Sequence, residues 1–506
     1  MNLAELTQNE IERFGEHVTV IYEGKEHTNC QLREEGLRLA GALKELGVRR
    51  GDRVIIQMPN CPEVLVSFGA VYALGAVHVP INFMVGDDET AFIYRDSGAE
   101  TIISSMAFLP KIEACRKQAP NIKNVILIDQ DAPAGTLSFS ALVEGHEELP
   151  AIEETGADDL AALIYTAGTT GTPKGVMHTH GTLYANATMQ VATLPIPSGM
   201  TGVGILPLCH SYGIASLNFG SMRGGGKIVL LSSFDIDAIF SAIEQYRADI
   251  LAAVPTMYIY MLLHEEPERY DLSSMKYWIS GSAPLTLETQ SRFQEKFGHE
   301  IVEGWGLTEA GANNCTNPFD GKKKTGSIGV PMQGTQMKVV DDDNQEVAAG
   351  TVGEIIISGP MLMKGYWNRP EETAGVLKGG WLYTGDVGYR DEDGYFFITE
   401  RKKDLIIKGG ENIAPREVEE VIFSHPKVSE AAVVGVKDEI YGEEIKACVV
   451  LNPGETLSAE EIIAHCEKKL KRFKSPKHVV FLEALPKNLV GKVLKKELRG
   501  EKESEV

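Results

Sequence analysis

The stretch LAALIYTAGTTGTPKG, residues 160–175, joins an apolar run to a loop of glycines, threonines and one lysine. The apolar run predicts a strand that delivers the chain to this loop. Glycines let consecutive backbone N–H groups turn toward one point, and such a concavity binds anions. The loop therefore predicts a triphosphate site, with a solvent-exposed turn as the alternative. The candidate ligands are Thr166, Gly168, Thr169, Thr170, Gly171 and Lys174.

This loop differs from the common phosphate-binding patterns. The Walker A sequence G-x-x-x-x-G-K-[ST] needs a hydroxyl residue directly after its lysine. Here Pro173 precedes Lys174 and Gly175 follows it. The spacing G-x-G-x-x-G is absent from the loop as well.

Short β-branched runs alternate with helical stretches along most of the chain. The runs VIIQM, VHVPIN, TIISS and NVILID read as strands. The alternation predicts an α/β fold in which helices cover parallel sheets. After about residue 325 the pattern becomes strand and turn, which predicts a small β-subdomain over about 325–400. We predict a large N-terminal domain over 1–400 and a compact, mobile α+β domain over 401–506.

Charge is distributed unevenly along the chain. The formal charge of −22 argues against nucleic acid as a partner, because phosphate backbones attract basic surfaces. Residues 401–506 are nearly neutral, with 20 Lys and Arg against 19 Asp and Glu. This lysine-rich region beside an acidic body indicates either a domain that meets an anionic ligand or a solvated charged surface.

The sequence favours a cytoplasmic protein without an integral membrane segment. Its seven cysteines are scattered and form no C-x-x-C pair, which is typical of a reducing compartment. The N-terminus lacks the basic-then-apolar pattern of a secretory signal. Glycines, His78 and Pro80 interrupt the apolar residues 64–83, which predicts a buried helix followed by a strand.

Five motifs follow one another between residues 165 and 498. They are YTAGTTGTPKG (165–175), GSAP (281–284), GWGLTEAG (304–311), WLYTGDVGYRDEDGYFFITERKKD (381–404) and PKNLVGKVLKKEL (486–498). With these motifs the chain resembles the acyl-adenylate-forming enzymes, which include acyl-CoA synthetases, firefly-type luciferases and the adenylation domains of peptide synthetases. The resemblance covers essentially the whole chain. One departure is Ala167, which stands where a serine is usual.

The resemblance implies a role for each matched residue toward ATP. Trp305 would stack on adenine, Thr308 would bond the α-phosphate and Glu309 would hold Mg²⁺. Asp386 and Arg401 would bind the ribose. The implied ATP- and AMP-binding residues are those of the phosphate loop together with Gly281, Ser282, Ala283, Gly304, Trp305, Gly306, Thr308, Asp386, Arg401 and Lys492.

Lys492 is implied to be the catalytic lysine, whose ammonium would bridge the substrate carboxylate and the α-phosphate. The implied catalytic residues are Lys492, Thr308, Glu309 and His210. The neighbouring Lys487, Lys495 and Lys496 read as surface charges.

The motif PLCHSYG, residues 207–213, resembles the acyl-pocket signature of these enzymes and would place His210 beside the substrate carboxylate; a satisfied buried histidine is the alternative. The predicted acyl-pocket residues are His210, Ser211, Thr256, Gly281, Gly306 and Gly311. Asp235 follows a strand and begins a helix, so it reads as an N-cap rather than a partner for a substrate ammonium. We therefore expect an apolar acid, either a medium- or long-chain fatty acid or an aryl or alicyclic acid.

The resemblance also implies two half-reactions served by one moving domain. The first would form acyl-AMP and pyrophosphate, and the second would form acyl-CoA and AMP. Lys403 would be the pivot of this movement. After the domain has turned, Lys408, Gly409 and Gly410 would replace the segment that carries Lys492, which we call the lysine loop. They would let the pantetheine arm of coenzyme A approach the backbone. For the glycine pair a hairpin turn is the alternative.

Two further functions and two features remain open. The chain could deliver its acyl group to a carrier protein, or it could be a non-catalytic acyl or nucleotide sensor. A monomer and a homodimer are both compatible with the sequence. The pair His178 and His180 in HTH has metal-ligand chemistry but no evident third ligand, so we do not predict zinc there.

Overall fold

The structure is a computed structural model that describes residues 2–129, 131–166, 172–194, 199–219, 223–487 and 493–500. The strands of the first part are β1 Val18–Tyr22, β2 Lys25–Thr28, β3 Arg53–Gln57, β4 Val77–Pro80, β5 Thr101–Ser104, β6 Asn124–Leu127, β7 Leu137–Ser138, β8 Leu160–Thr166, β9 Lys174–Thr179, β10 Thr201–Gly204, β11 Lys227–Leu230, β12 Ile250–Ala253, β13 Tyr277–Ser280, β14 Ile301–Trp305, β15 Cys315–Thr316 and β16 Val330–Pro331. The later strands are β17 Gln336–Val340, β18 Gly353–Ser358, β19 Gly365–Tyr366, β20 Leu377–Lys378, β21 Trp381–Arg390, β22 Phe396–Arg401, β23 Ile406–Lys408, β24 Glu411–Ile413, β25 Val428–Asp438, β26 Gly442–Leu451 and β27 His478–Phe481.

Helices connect and cover these strands. The α-helices are Glu5–Phe14, Asn29–Glu45, Pro62–Ala73, Asp87–Ser97, Leu109–Arg116, Phe139–Glu144, His180–Thr193, Ser211–Gly213, Ile236–Tyr246, Pro255–Leu263, Leu287–Phe297, Pro370–Val376, Pro415–Phe423, Ala459–Lys469 and Lys495–Arg499. Ile214–Phe219 is π-helical, and short 3₁₀ turns include Thr308–Ala310 and Lys402–Asp404.

Two large sheets form the body of the molecule. Their strand orders are β16-β15-β14-β13-β12-β10-β11-β1-β2 and β19-β9-β8-β4-β3-β5-β6-β7. The central strands of both sheets pair in parallel. This arrangement confirms the α/β class predicted from the alternation of strands and helices.

Local sequence explains several of the covering helices. Thr28 and Gln31 form a capping box that starts the helix Asn29–Glu45. The helix Pro62–Ala73 is buried along nearly its whole length, and β4 follows it. The apolar residues 64–83 are therefore the buried helix and strand expected from their interruptions. Within the described ranges, none of the helices has the length and apolar composition that a membrane crossing requires.

A five-stranded antiparallel sheet follows the body. It has the order β17-β18-β21-β20, with β22 also paired to β21. Its strands lie between Gln336 and Arg401, and residues in this part of the chain also contribute to the body. β19 pairs with β9 at the edge of the second large sheet, so the chain returns to the body between β18 and β20.

The C-terminal part has its own sheet and core. Its strand order is β24-β23-β26-β25, with β27 paired to β26. Ile406, Val433, Ile445 and Ile462 belong to a hydrophobic cluster confined to residues after 405. A separate small α+β domain is thus present, which we call the small domain, while the boundary at residue 400 stays a prediction.

Candidate active site

A cavity of about 2230 Å³ lies between the body, the five-stranded sheet and the small domain. Many of the residues singled out in the sequence line it. They are Thr166, Lys174, His210, Ser211, Thr256, Gly281, Ser282, Ala283, Gly304, Trp305, Gly306, Thr308, Glu309, Asp386, Arg401 and Lys403. Residues that are far apart in the sequence are therefore brought to one place.

The predicted phosphate loop lies between strands β8 and β9 in the sequence. Strands β8 and β9 pair antiparallel, with Thr166 opposite Lys174. The ammonium of Lys174 forms an ion pair with Glu372 and lies 5.1 Å from the ring centroid of Tyr366. The loop residues Gly168, Thr169, Thr170 and Gly171 lie outside the described residues.

The turn Thr308–Ala310 follows β14 and presents two polar side chains to the cavity. The hydroxyl of Thr308 is 3.0 Å from the hydroxyl of Ser211, and its carbonyl accepts a hydrogen bond from His178 Nε2 at 2.6 Å. Glu309 Oε1 accepts a hydrogen bond from the Tyr366 hydroxyl at 2.9 Å. These contacts fix both side chains.

Glycines in this region permit a close approach of the backbone. A Cβ added to Gly306 would lie 1.1 Å from the carbonyl oxygen of Ala312, so no larger residue fits there. A Cβ on Gly281 would meet the ring of Tyr212 at 3.3 Å. Gly311 has a left-handed φ of 77° and turns the chain after the Thr308 turn, but it is not among the residues that line the cavity.

Asp386 is the centre of a polar cluster on the five-stranded sheet. Antiparallel pairing of β21 with β22 places Asp386 directly opposite Arg401. Asp386 Oδ1 is 3.0 Å from Arg401 Nε, and Asp386 Oδ2 accepts the indole N–H of Trp305 at 3.0 Å. The Asp386 carboxylate raises the pKa of Arg401, so the guanidinium is charged. The cluster links two of the predicted nucleotide motifs through side-chain contacts.

His210 sits at the start of the short helix Ser211–Gly213. Its Nδ1 accepts the backbone N–H of Tyr212 at 3.3 Å, so its ring serves as an N-cap while it faces the cavity. Asp235 is also an N-cap: its Oδ1 accepts the N–H of Ala238 at 2.8 Å. The expected capping role of Asp235 is confirmed.

Apolar residues line one part of the cavity, which we call the apolar channel. It crosses one face of the first large sheet, where Gly202 on β10 lies between Ile250 on β12 and Ile228 on β11. All three residues line the cavity, and Gly202 contributes no side chain to it. Other apolar residues along it include Val191, Leu194, Leu217, Ile259 and Ile279.

The histidines of HTH are engaged inside the protein. Burial lowers the pKa of both His178 and His180 to about 4, so both rings are neutral. His178 donates to Thr308 as described, and His180 Nδ1 accepts the backbone N–H of Leu3 at 3.1 Å. His178 thus supports the Thr308 turn. Among the described residues, no three His, Cys, Asp or Glu side chains are grouped so that they could hold a metal ion.

Glu309 has the chemistry to hold Mg²⁺ beside phosphates. Mg²⁺ binds proteins through one or two carboxylates and completes its coordination with substrate phosphates and water. The Tyr366 contact uses one carboxylate oxygen of Glu309, which leaves the second for a cation. The residues present therefore fit the metal that the motif implies.

Of the predicted pivot and coenzyme A residues, only the pivot residue lines the cavity. Lys403 lies in the 3₁₀ turn Lys402–Asp404 and faces the cavity, and burial lowers its pKa. Gly409 and Gly410 form the two-residue turn between β23 and β24, with φ values of 60° and 87°. Lys408, at the base of this hairpin, pairs with Glu444 at 2.5 Å.

The hairpin alternative for the glycine pair is therefore correct as local structure. Lys408, Gly409 and Gly410 do not line the cavity in this arrangement of the domains. Lys492 lies outside the described residues.

The structure corrects the expectation for two of the neighbouring lysines. Lys487 forms an ion pair with Glu430, and Lys495 pairs with Glu419 at 3.1 Å while its side chain is 19% exposed. Charge alone gave no sign of this burial. Lys496 is exposed, as expected.

Sequence reasoning missed several residues around the cavity. Tyr366 and Glu372 lie between the recognised motifs, and they reach the site because β19 returns to the body. Glu303, two residues before Trp305, is buried, and burial raises its pKa to about 7. No periodic pattern marks these positions. Glu303 directly precedes the motif GWGLTEAG, so its place in the sequence could have drawn attention to it.

Comparison with known proteins agrees with this geometry. Residues 7–367 match the AMP-binding enzyme family, and residues 417–492 match the AMP-binding enzyme C-terminal domain. The chain is 38% identical to a long-chain-fatty-acid–CoA ligase of Bacillus subtilis strain 168, over 97% of this chain and 92% of that one. It is 37% identical to a feruloyl-CoA synthase of Amycolatopsis, over 96% of both chains. The chain therefore belongs to the AMP-binding enzyme family, which confirms the resemblance drawn from its motifs.

A solved structure shares the whole architecture. The anthranilate CoA ligase AuaEII in complex with anthranoyl-AMP superposes with a TM-score of 0.93 at 29% identity, covering 99% of this chain and 97% of that one. A single superposition of this quality includes both domains. The small domain thus has a similar position relative to the body in the two structures.

Proposed function

We propose that the protein is an ATP-dependent acid–CoA ligase that forms AMP. It activates a carboxylic acid as acyl-AMP with release of pyrophosphate and then transfers the acyl group to coenzyme A. The observation that carries this proposal is the convergence of Thr308, Glu309 and the Asp386–Arg401 pair on one cavity that continues into an apolar channel. The family and the relatives named above support the same activity.

In the first half-reaction, a carboxylate oxygen of the acid attacks the α-phosphorus of ATP and pyrophosphate leaves. Thr308 donates its hydroxyl to the α-phosphate, and Asp386 and Arg401 hold the ribose. His210 faces the carboxylate, and Lys492 neutralises the charge that builds up on the phosphorus centre. Glu309 would hold Mg²⁺, which would supply charge neutralisation to the phosphates.

In the second half-reaction, the thiol sulfur of coenzyme A attacks the acyl carbon, and the bond from that carbon to the AMP oxygen breaks. The small domain turns about Lys403 between the two steps. The turn Gly409–Gly410 then takes the place of the lysine loop, because its lack of side chains lets the pantetheine arm pass close to the backbone. Lys487 and Val493, on either side of the segment that carries Lys492, line the cavity, whereas the Gly409–Gly410 turn does not. This difference supports assigning the present arrangement to the adenylate-forming step.

The acid is a medium- or long-chain fatty acid. The channel across Gly202 is lined by aliphatic side chains, and Asp235 is used as a helix cap instead of facing a substrate ammonium. An aryl or alicyclic acid is the second candidate, favoured by the similarity to a feruloyl-CoA synthase and an anthranilate CoA ligase. The enzyme acts in the cytoplasm, as a monomer or a homodimer.

The test is a product assay with a panel of acids. Purified protein is incubated with ATP, Mg²⁺ and straight-chain, branched or aromatic acids, and acyl-adenylates are trapped with hydroxylamine. We expect AMP and pyrophosphate with selected acids and thioester after coenzyme A is added. ADP as the sole nucleotide product would contradict the proposal. Transfer to acyl carrier protein but not to coenzyme A would select the carrier-protein function, and an absence of turnover with retained ligand binding would select a sensor.

A proline at the pivot tests the two-step mechanism. Lys403→Pro fixes φ and removes a backbone donor, so it stiffens the segment about which the domain turns. We expect acyl-AMP formation to continue and thioester formation to fall. Unchanged transfer to coenzyme A would contradict a pivot at this residue.

A further inference from the structure

The helix Pro415–Phe423 of the small domain is capped from outside its own sequence. Its N-cap residue is Ala414, whose methyl group cannot accept a hydrogen bond, and no local side chain caps the helix. Glu400 Oε2 instead accepts the backbone N–H of Arg416 at 3.2 Å. A carboxylate at a helix N-terminus also interacts favourably with the helix dipole.

Glu400 belongs to the other side of the pivot. It lies on β22, where it pairs with Val387 of β21, so the five-stranded sheet fixes its position three residues before Lys403. Its other carboxylate oxygen accepts the N–H of Arg401 at 2.9 Å. The capping contact therefore connects the body to the small domain across the segment about which rotation is proposed.

A second contact crosses the pivot at the same carboxylate. Lys495 Nζ is 3.6 Å from Glu400 Oε2 and 3.1 Å from Glu419 Oε1. Glu400 is only 8% exposed. A partly buried ion pair that loses one partner leaves a poorly solvated charge behind, so breaking this contact is costly. Lys495 also lies three residues after Lys492, at the end of the segment that carries the implied catalytic lysine.

Arg416 adds a third connection. Its Nη1 donates to the carbonyl of Ile398 on β22 at 3.0 Å, and its Nε pairs with Glu420 of its own helix at 3.1 Å. Arg416 thus touches β22 through both its backbone and its side chain. A rotation of the small domain about Lys403 would break the contacts of Arg416 and Lys495 with β22 together.

We propose that Glu400 is a positioning residue that latches the small domain in the adenylate-forming arrangement, by capping the helix Pro415–Phe423 and pairing with Lys495. This inference rests on the proposed function and adds to it the groups that hold one of the two domain arrangements. Release of the latch accompanies the change to thioester formation. Glu400 touches no reacting atom and acts through the orientation of the small domain.

The experiment measures the two half-reactions separately in the full chain. Glu400→Gln keeps one oxygen that can accept the N–H of Arg416, but it removes the charge that faces Lys495 and the second oxygen that accepts the N–H of Arg401. Acyl-adenylate formation is measured by the release of pyrophosphate. We expect its rate to fall about tenfold, which corresponds to about 1.4 kcal/mol. Thioester formation from supplied acyl-adenylate should be unchanged or faster. Lys495→Met should give the same pattern. The double variant should be no worse than the more affected single variant, because both substitutions remove the same Glu400–Lys495 ion pair.

The control is Glu455→Gln, which removes an ion pair with Lys427 inside the small domain. Both half-reactions should keep wild-type rates in this variant. An equal loss of both half-reactions in Glu400→Gln, or no loss of adenylation, would overturn the latch. Strictly additive effects of the Glu400 and Lys495 substitutions would also overturn it.

A second readout does not depend on catalysis. The lysines of the 3₁₀ turn Lys402–Asp404 are exposed, and cleavage there requires local opening of the backbone, which the latch contacts on both sides of the turn oppose. Trypsin should therefore cleave Glu400→Gln at this turn several-fold faster than wild type under native conditions. Equal cleavage rates would contradict the latch. Wild-type protein that produces no AMP with any acid would instead contradict the proposed function, and the cleavage comparison would still test the latch.

Discussion

The body side and the small-domain side of the active-site cavity are built in different ways. On the body side, Asp386 and Arg401 face each other because the register of β21 and β22 places them there. Where the small domain meets the body, a few polar side chains make the contacts across the pivot: Arg416 and Lys495 of the small domain and Glu400 of β22. The first arrangement can be lost only by disrupting a sheet. The second can break without unfolding either domain, as alternation between two arrangements requires.

The largest expected effect comes from the lysine on the mobile side. Lys492→Ala should reduce acyl-adenylate formation by about 10²-fold or more, the scale expected for loss of a preorganised charge contact. Thioester formation from supplied acyl-adenylate should be spared, because the lysine loop is then displaced. Single-turnover assays of each step provide the measurement. Equal losses in both steps would contradict the prediction that Lys492, on the small-domain side, serves only acyl-adenylate formation.

A substitution on the body side should affect both steps. Arg401→Lys keeps a positive charge but loses the planar geometry with which Arg401 meets Asp386. We expect the KM for ATP to rise about tenfold, or about 1.4 kcal/mol. The affinity for AMP in the second step should fall similarly, since the nucleotide stays on the body. The matched control is Arg390→Lys, which lies on the same sheet and has a weak contact with Glu346 at 3.9 Å.

A substitution in the apolar channel should change which acids the enzyme accepts. It should affect both half-reactions to the same extent. Gly202→Leu places a side chain between Ile250 and Ile228, where even a Cβ would lie 3.3 Å from Ile250 Cγ2. We expect activity with the longest accepted acids to fall about tenfold or more, the scale by which pocket size discriminates between acyl chains, while short acids are retained. A chain-length series of kcat/KM values measures this. An unchanged series would mean that the acyl chain does not reach Gly202.

The smallest effect on activity should come from a buried carboxyl away from the cavity. Glu10 is buried with one oxygen 3.2 Å from His17 Nε2, and burial raises its pKa to about 8. A carboxyl whose pKa is raised on folding contributes stability below its unfolded value and loses that contribution as pH rises through the folded value. Glu10→Gln should therefore gain stability relative to wild type between about pH 5 and about pH 9, at up to about 1.4 kcal/mol per pKa unit.

Denaturant unfolding at several pH values measures this gain, with unchanged kcat at neutral pH. Glu12→Gln is the control, because Glu12 is exposed on the same helix. A difference in unfolding free energy that does not vary with pH would show that Glu10 is not protonated in the folded protein.

Those features of the fold and the site that depend on local sequence patterns and on the order of the motifs could be predicted from the sequence. Alternating strands and helices indicated the parallel sheets, and the motifs indicated the family and the residues that meet at the cavity. Contacts that depend on the path of the chain were not predictable. Tyr366 reaches Glu309 only because β19 returns to the body, and a charge pattern could not reveal that Lys495 is partly buried between Glu400 and Glu419.

The return of β19 also limits how the chain can be shortened. Gly365 and Tyr366 pair with Met177 and Val176 and cover the outer side of β9. A fragment that stops before Gly365 would leave β9 as an open strand edge, and open edges pair with other chains and promote aggregation. Expression of the acyl- and nucleotide-binding body as an independent piece therefore requires a cut after β19, although every strand of the two large sheets other than β19 is complete by Pro331.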